Sequence, residues 1–177
     1  MPLFRRKQDD RPILAVDIDG VISLFGFQDP VNAAGMRGPD APGEFHLIDG
    51  MLHCIALDTG ARLNRLGETY ELIWASGWED RANDHLPGIL GVPKLHHLTF
   101  DGRAKFGTAH WKLDALEEYA GDRRLAWIDD SLDESCFQWA EAREAPTLLV
   151  PTESSVGMID AHVEALESWA RETAPAE

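Results

Sequence analysis

The run "ILAVDIDGVIS" at residues 13–23 is apolar enough to be a buried strand, yet it carries two carboxylates, Asp17 and Asp19, followed by Gly20. Burying unpaired charge is costly, so such a strand fits only where its end opens onto a site that compensates the acids. A parallel sheet covered on both faces meets this condition. Its strands read as continuous hydrophobic runs, and their carboxyl ends border a ligand crevice.

The rest of the chain alternates apolar and amphipathic stretches, as α/β folds do. "PILAVDID" is the first expected strand, followed by a loop over residues 27–43 and a hairpin, "EFHLIDGMLHCIA", whose Asp49-Gly50 pair signals a two-residue turn. "LDTGARLNRLGE" reads as a short helix stopped by Gly67, "YELIWAS" as a second buried strand, and "EDRANDHLPGILG" as a helical stretch that Pro87 should split. "KLHHLTF" is a candidate strand, "WKLDALEEYAG" a helix stopped by Gly121, and "RRLAWIDD" a strong strand that again ends in paired acids, Asp129 and Asp130. A helix over "DESCFQWAEARE", a strand over "PTLLVPT" and a terminal helix over 157–173 complete the pattern. The expected fold is a single α/β domain over 1–177, a three-layer Rossmann-like parallel sheet with helices on both faces. Its core motifs fall within 13–150, and a loop and small β-hairpin flap span 21–56.

Charge and cysteine content narrow the function. With 31 acidic against 16 basic residues the net charge is −15, which repels phosphate backbones and anionic lipids. Arg123, Arg124 and Lys112 read as solvated charges rather than a basic patch. Cys54 and Cys136 show no metal-ligand spacing and read as free thiols of a reducing compartment. "MPLFRRKQDDRP" leads into only a short apolar run, so neither a signal peptide nor a membrane span is expected, and the cytoplasm is the expected location.

Three strands end in polar groups that a core would not select: Asp17 and Asp19, Ser76, and Asp129 and Asp130. In a parallel sheet these ends lie on one edge, where clustered carboxylates repel one another and call for a cation. An oxygen-only donor set suits Mg²⁺, which takes one or two carboxylates together with waters and phosphate oxygens. His96 and His97 are adjacent, would face opposite sides of a strand and make a poor zinc site. Asp17 and Asp19, two residues apart, should share one side of an extended chain. One can then attack phosphorus while the other handles the proton of the leaving group. Gly20 lets the chain turn sharply and brings backbone amides near phosphoryl oxygens.

"DIDGV", the serine ending "LIWAS", the lysine upstream of "WIDD" and that acidic pair, in this order, resemble the four motifs of the haloacid dehalogenase (HAD) superfamily over about residues 13–150. The stretch "WASGWEDRAN" is similar to the small HAD domains that resemble those of Swiss-army-knife RNA repair proteins. The resemblance implies a HAD-type Mg²⁺-dependent phosphatase with no large cap domain, acting through an aspartyl-phosphate on Asp17. Asp19 would protonate the leaving oxygen, later activate water and bind the metal through its backbone carbonyl. Ser76 would donate to a phosphoryl oxygen, and Asp129 would bind the metal, with Asp130 or Asp133 as the second acid. Lys112, or else Lys105, would supply the ammonium. Gly20, Gly77 and Trp78 would face the substrate. The implied substrate is a phosphorylated small molecule or a nucleic-acid end carrying a 3′ phosphate. A phosphate-binding module without catalysis is the alternative.

Overall fold

The computed structural model describes residues 10–26, 42–101 and 107–175. Lys105 and most of the loop expected over 27–43 lie outside them. Five parallel strands form the central sheet: β1 (Ile13–Val16), β5 (Glu71–Trp74), β6 (His96–His97), β7 (Leu125–Asp129) and β8 (Thr147–Pro151), in the order β6-β5-β1-β7-β8. All residues of β1 and β7 are buried, which explains why both read as continuous apolar runs.

Period-two alternation divides the core into two halves. On one face Leu14, Val16, Ala126 and Ile128 pack with Leu63 and Leu66 of α1 (Thr59–Gly67), Leu86 of α2 (Ala82–Leu90) and Val163 and Leu166 of α5 (Asp160–Glu172). On the other, Ile13, Ala15, Leu125 and Trp127 meet Leu113 and Leu116 of α3 (Leu113–Ala120) and Cys136 of α4 (Glu134–Ala142). Burying each such aliphatic side chain stabilises the fold by about 1.5–3 kcal/mol. The three layers match the sequence expectation.

A second, antiparallel sheet has the order β2-β4-β3, with β2 (Ser23–Leu24), β3 (Gly43–Ile48) and β4 (Met51–Ala56). Asp49 and Gly50 join β3 to β4 with φ of 50° and 80°, the paired left-handed geometry that an Asp-Gly hairpin turn requires. The sequence pattern missed β2. Its two residues carry no periodicity; they pair with Cys54 and Ile55, and the Ser23 backbone also bonds to Ile18 and Gly20 in the turn after β1.

Two local expectations need correction. Pro87 does not split its helix: α2 runs unbroken through it after a single 3-10 turn at Glu79–Arg81. A proline removes one backbone bond, and here the Asn83 side chain anchors the preceding turn, accepting from Leu95 N and Trp74 Nε1 and donating to the Leu95 carbonyl. Gly67 is the last residue of α1 rather than a left-handed stop beyond it, and Glu68 caps that end with helical φ and ψ. In the two-residue edge strand β6 the rings of His96 and His97 lie near-parallel with centroids 6.0 Å apart, and His96 stacks on Tyr119 at 4.7 Å.

Candidate active site

Register places the polar strand ends together. Val16 is paired with Trp74 on one side and Ile128 on the other, so the chain positions just beyond β1, β5 and β7 emerge side by side. β1 lies between strands reached by opposite crossovers, the position where an open α/β sheet forms its crevice. A cleft of about 200 Å³ opens there, lined by Asp17, Asp19, Ser76, Gly77, Lys112, Asp129 and Asp130 among others.

Lys112 organises the floor of the cleft. Buried where a 3-10 turn leads into α3, its ammonium lies 2.8 Å from Asp17 Oδ1 and 2.6 Å from Asp129 Oδ2. Desolvation opposes its charge, but the two carboxylates outweigh that and hold the amine above its ordinary value. Burial pushes Asp17 from 3.8 up to about 7, with Lys112 pulling against the shift and Asp129 adding to it. Of the two lysines considered from sequence, Lys112 is at the site.

Asp17, Asp129 and Asp130 each offer one carboxylate oxygen, all within 4.8 Å of one another. Three carboxylates against one ammonium leave a surplus of negative charge, and repulsion from Asp129 adds to the larger effect of burial in raising Asp17. A hard divalent cation fits both the oxygen donors and the missing charge. Ser131 N donates to Asp129 Oδ1 at 2.9 Å, and the Ser131 and Ser154 hydroxyls donate to the two oxygens of Asp130 at 3.0 and 2.7 Å, so both acids are held in place.

Gly20 is dictated by this packing. Its φ is +79°, and a Cβ there would overlap the Asp130 carboxylate. Its carbonyl accepts from Thr152 Oγ1 at 2.9 Å, tying the turn after β1 to the end of β8.

Asp19 shares the cleft but its carboxylate lies outside the three-acid group. It accepts from the indole Nε1–H of Trp78 at 3.0 Å. Although much of its surface is open to solvent, desolvation raises Asp19 above the ordinary carboxylate value, opposed by the Trp78 hydrogen bond and then by nearby His53. His53 packs edge-on against Trp78, with centroids 4.9 Å apart, and its Nδ1 lies 2.8 Å from Ser23 Oγ. Trp78 is largely buried, and its ring both holds Asp19 and lines a neighbouring cavity that Asp19 also borders. Sequence alone carried no signal for this long-range contact.

Ser76 is buried at the end of β5, its Oγ accepting from Trp78 N at 3.4 Å, and Gly77 lines the cleft beside it. Asp133 is committed elsewhere. It caps α4, accepting from Cys136 N and from the Ser135 and Thr108 hydroxyls, and these bonds hold its carboxyl well below the usual range. Of the two candidate second acids, Asp130 joins the cluster. Arg123 and Arg124 are tied down on the opposite side of the fold, Arg123 to Glu71 and Arg124 to the carbonyls of Ala170 and Asp10. No described helix is long and apolar enough to cross a membrane.

No family profile and no curated protein sequence matches the chain. Among solved structures, a hypothetical protein from Xanthomonas campestris aligns with a TM-score of 0.47 at 12% identity, over 97% of this chain and 94% of that one. One from Legionella pneumophila named as a HAD superfamily (subfamily III A) hydrolase gives 0.46 at 14% identity, over 93% and 86%. One from Vibrio cholerae named as a 3-deoxy-D-manno-octulosonate 8-phosphate phosphatase gives 0.44 at 13% identity, over 95% and 89%. Likeness at this level assigns no chemistry, which rests on the residues of this chain.

Proposed function

We propose that the chain is a Mg²⁺-dependent phosphomonoesterase of HAD type that works through an aspartyl-phosphate on Asp17. The observation that supports this reading most directly is the buried Lys112 ammonium bridging Asp17 and Asp129, with Asp130 in reach of the same ion. Asp17, Asp129 and Asp130 would hold the metal, with the Asp19 carbonyl as a further ligand. When bound, Mg²⁺ would supply positive charge to the phosphoryl oxygens.

The protein groups then divide the work. The Asp17 carboxylate attacks phosphorus, the bond to the ester oxygen breaks, and Asp19 gives its proton to the departing alkoxide. Desolvation, which raises Asp19 above the ordinary carboxylate value, shifts it toward holding that proton. Lys112 stabilises the charge on the transferring group, and Ser76 donates its hydroxyl to a phosphoryl oxygen. Asp19, now a carboxylate, takes a proton from water as the water attacks phosphorus. The bond to Asp17 breaks and inorganic phosphate leaves. A net charge of −15 weighs against a nucleic-acid end and favours a phosphorylated small molecule.

The test is phosphate release from an aryl phosphate. Turnover should require Mg²⁺, stop with chelator and fall at least about 1,000-fold in Asp17→Asn. Undiminished turnover by that variant would overturn the reading.

A further inference from the structure

A second cavity, of about 440 Å³, lies beside the phosphoryl cleft, lined by Asp19, Ile48, Asp49, Met51, His53, Gly77, Trp78 and Arg81. Asp19 and Gly77 line both spaces, so the two meet at the residue that handles the leaving-group proton. We infer that this cavity holds the organic part of the substrate, and that the substrate is a small phosphorylated acid whose second anionic group pairs with Arg81. The inference rests on the phosphatase reading and extends it to substrate class.

Chemistry fixes the direction. The ester oxygen must lie at Asp19 to receive its proton, and Asp17, Ser76, Lys112, Asp129 and Asp130, which would hold phosphate and ion, line the smaller cleft on one side of it. The organic part therefore extends to the far side of Asp19. The larger cavity is within the usual volume range of small-molecule sites. Ile48 and Met51 supply an apolar wall, contributed by the two ends of the hairpin turn.

Arg81 supplies the charge. Its Nη1 donates to Asp49 Oδ2 at 3.1 Å, while the other oxygen of Asp49 lies 3.2 Å from His85 Nε2. Both oxygens of Asp49 are thus engaged, and its negative charge is partly offset. The Arg81 side chain remains 56% exposed, with further N–H groups in the planar fork that matches carboxylate or phosphate. In a protein of net charge −15, Arg81 gives this cavity, which also carries Asp19 and Asp49, a local cation that favours an extra anion on the substrate.

A matched pair tests this: 3-phosphoglycerate and glycerol 3-phosphate, which differ by a carboxylate in place of a hydroxymethyl group. Binding is measured by calorimetry on Asp17→Asn with Mg²⁺ present, so the result does not depend on turnover. The acid should bind at least about tenfold more tightly, and adding Arg81→Gln should bring the two within about twofold, while Arg81→Lys keeps part of the preference. Met51→Trp, at an exposed position that tolerates bulk, should weaken 3-phosphoglycerate at least about fivefold and leave inorganic phosphate within about twofold. Equal binding of the pair, binding of neither, or a preference that survives Arg81→Gln overturns the inference. Aryl phosphate turnover by the wild type is read separately, so failure of the phosphatase reading is distinguishable.

Discussion

Gly20 and Asp130 occupy adjoining space so completely that a single added methyl on Gly20 would overlap the Asp130 carboxylate. The same glycine has a left-handed φ of +79°. Gly20→Ala therefore meets both backbone strain and a displaced metal ligand. Mg²⁺ affinity should fall at least about tenfold, measured by calorimetry, with phosphatase turnover falling in parallel.

Removing the ammonium exposes the opposite imbalance. Lys112→Met leaves Asp17 and Asp129 buried without their cation, and breaking a buried pair in this way costs about 3–5 kcal/mol. Denaturant melts of the metal-free variant should show that loss, and saturating Mg²⁺ should recover part of it. Activity should drop at least about 100-fold even with the metal bound.

The metal-free protein should also carry a pH signature. Asp17 titrates at about 7 in the folded protein against 3.8 ordinarily, so the folded state holds this proton more tightly than the unfolded chain. Its stabilising contribution is fully present below about pH 4 and is lost as pH rises through about 7. Thermal melts should decline across that window, and Asp17→Asn should flatten the decline. Mg²⁺ should stabilise most at the upper end, where no proton competes with it.

Asp130 and Asp133 should separate cleanly. Asp130→Asn should weaken Mg²⁺ binding at least about tenfold. Asp133→Asn instead loses the α4 cap and its bonds to Thr108 and Ser135, and should lower the melting temperature by about a few degrees. A larger effect of Asp133→Asn on metal affinity would reverse the assignment.

Trp78→Phe tests positioning of the acid. The variant keeps the packing against His53 but deletes the N–H that holds Asp19. Turnover of alkyl phosphates, which need a protonated leaving group, should fall about tenfold, while nitrophenyl phosphate, whose leaving group needs little help, should change less. Equal losses on both would assign Trp78 a purely structural role.

Much of this was legible in the sequence because the relevant signals are local. Ile13–Val16 and Leu125–Asp129 announce buried strands by composition, and Asp-Gly specifies the turn at Asp49 without reference to the rest of the fold. Polar residues at strand ends pointed to Asp17, Asp129 and Asp130 because a core has no other use for them. What escaped was set by distant partners. β2 is defined by pairing with β4, the indole of Trp78 meets Asp19 across 59 positions, and the α2 turn ahead of Pro87 is anchored by Asn83 to Trp74 and Leu95. The latch of Asp49 to Arg81 and His85 likewise joins a hairpin tip to a helix that no periodicity relates.

The strand tips that carry the carboxylates belong to one sheet, while Ile48, Met51 and His53 belong to the other. In the proposed reading the apolar wall of the substrate cavity is thereby mounted on a separate ribbon from the reacting carboxylates, while its charge, Arg81, comes from the turn that leads into α2. Substitutions at Ile48 and Met51 should then reshape what is admitted without touching Asp17, Lys112 or Asp129, whereas His53, packed on Trp78 beside Asp19, ties that ribbon to the reacting groups.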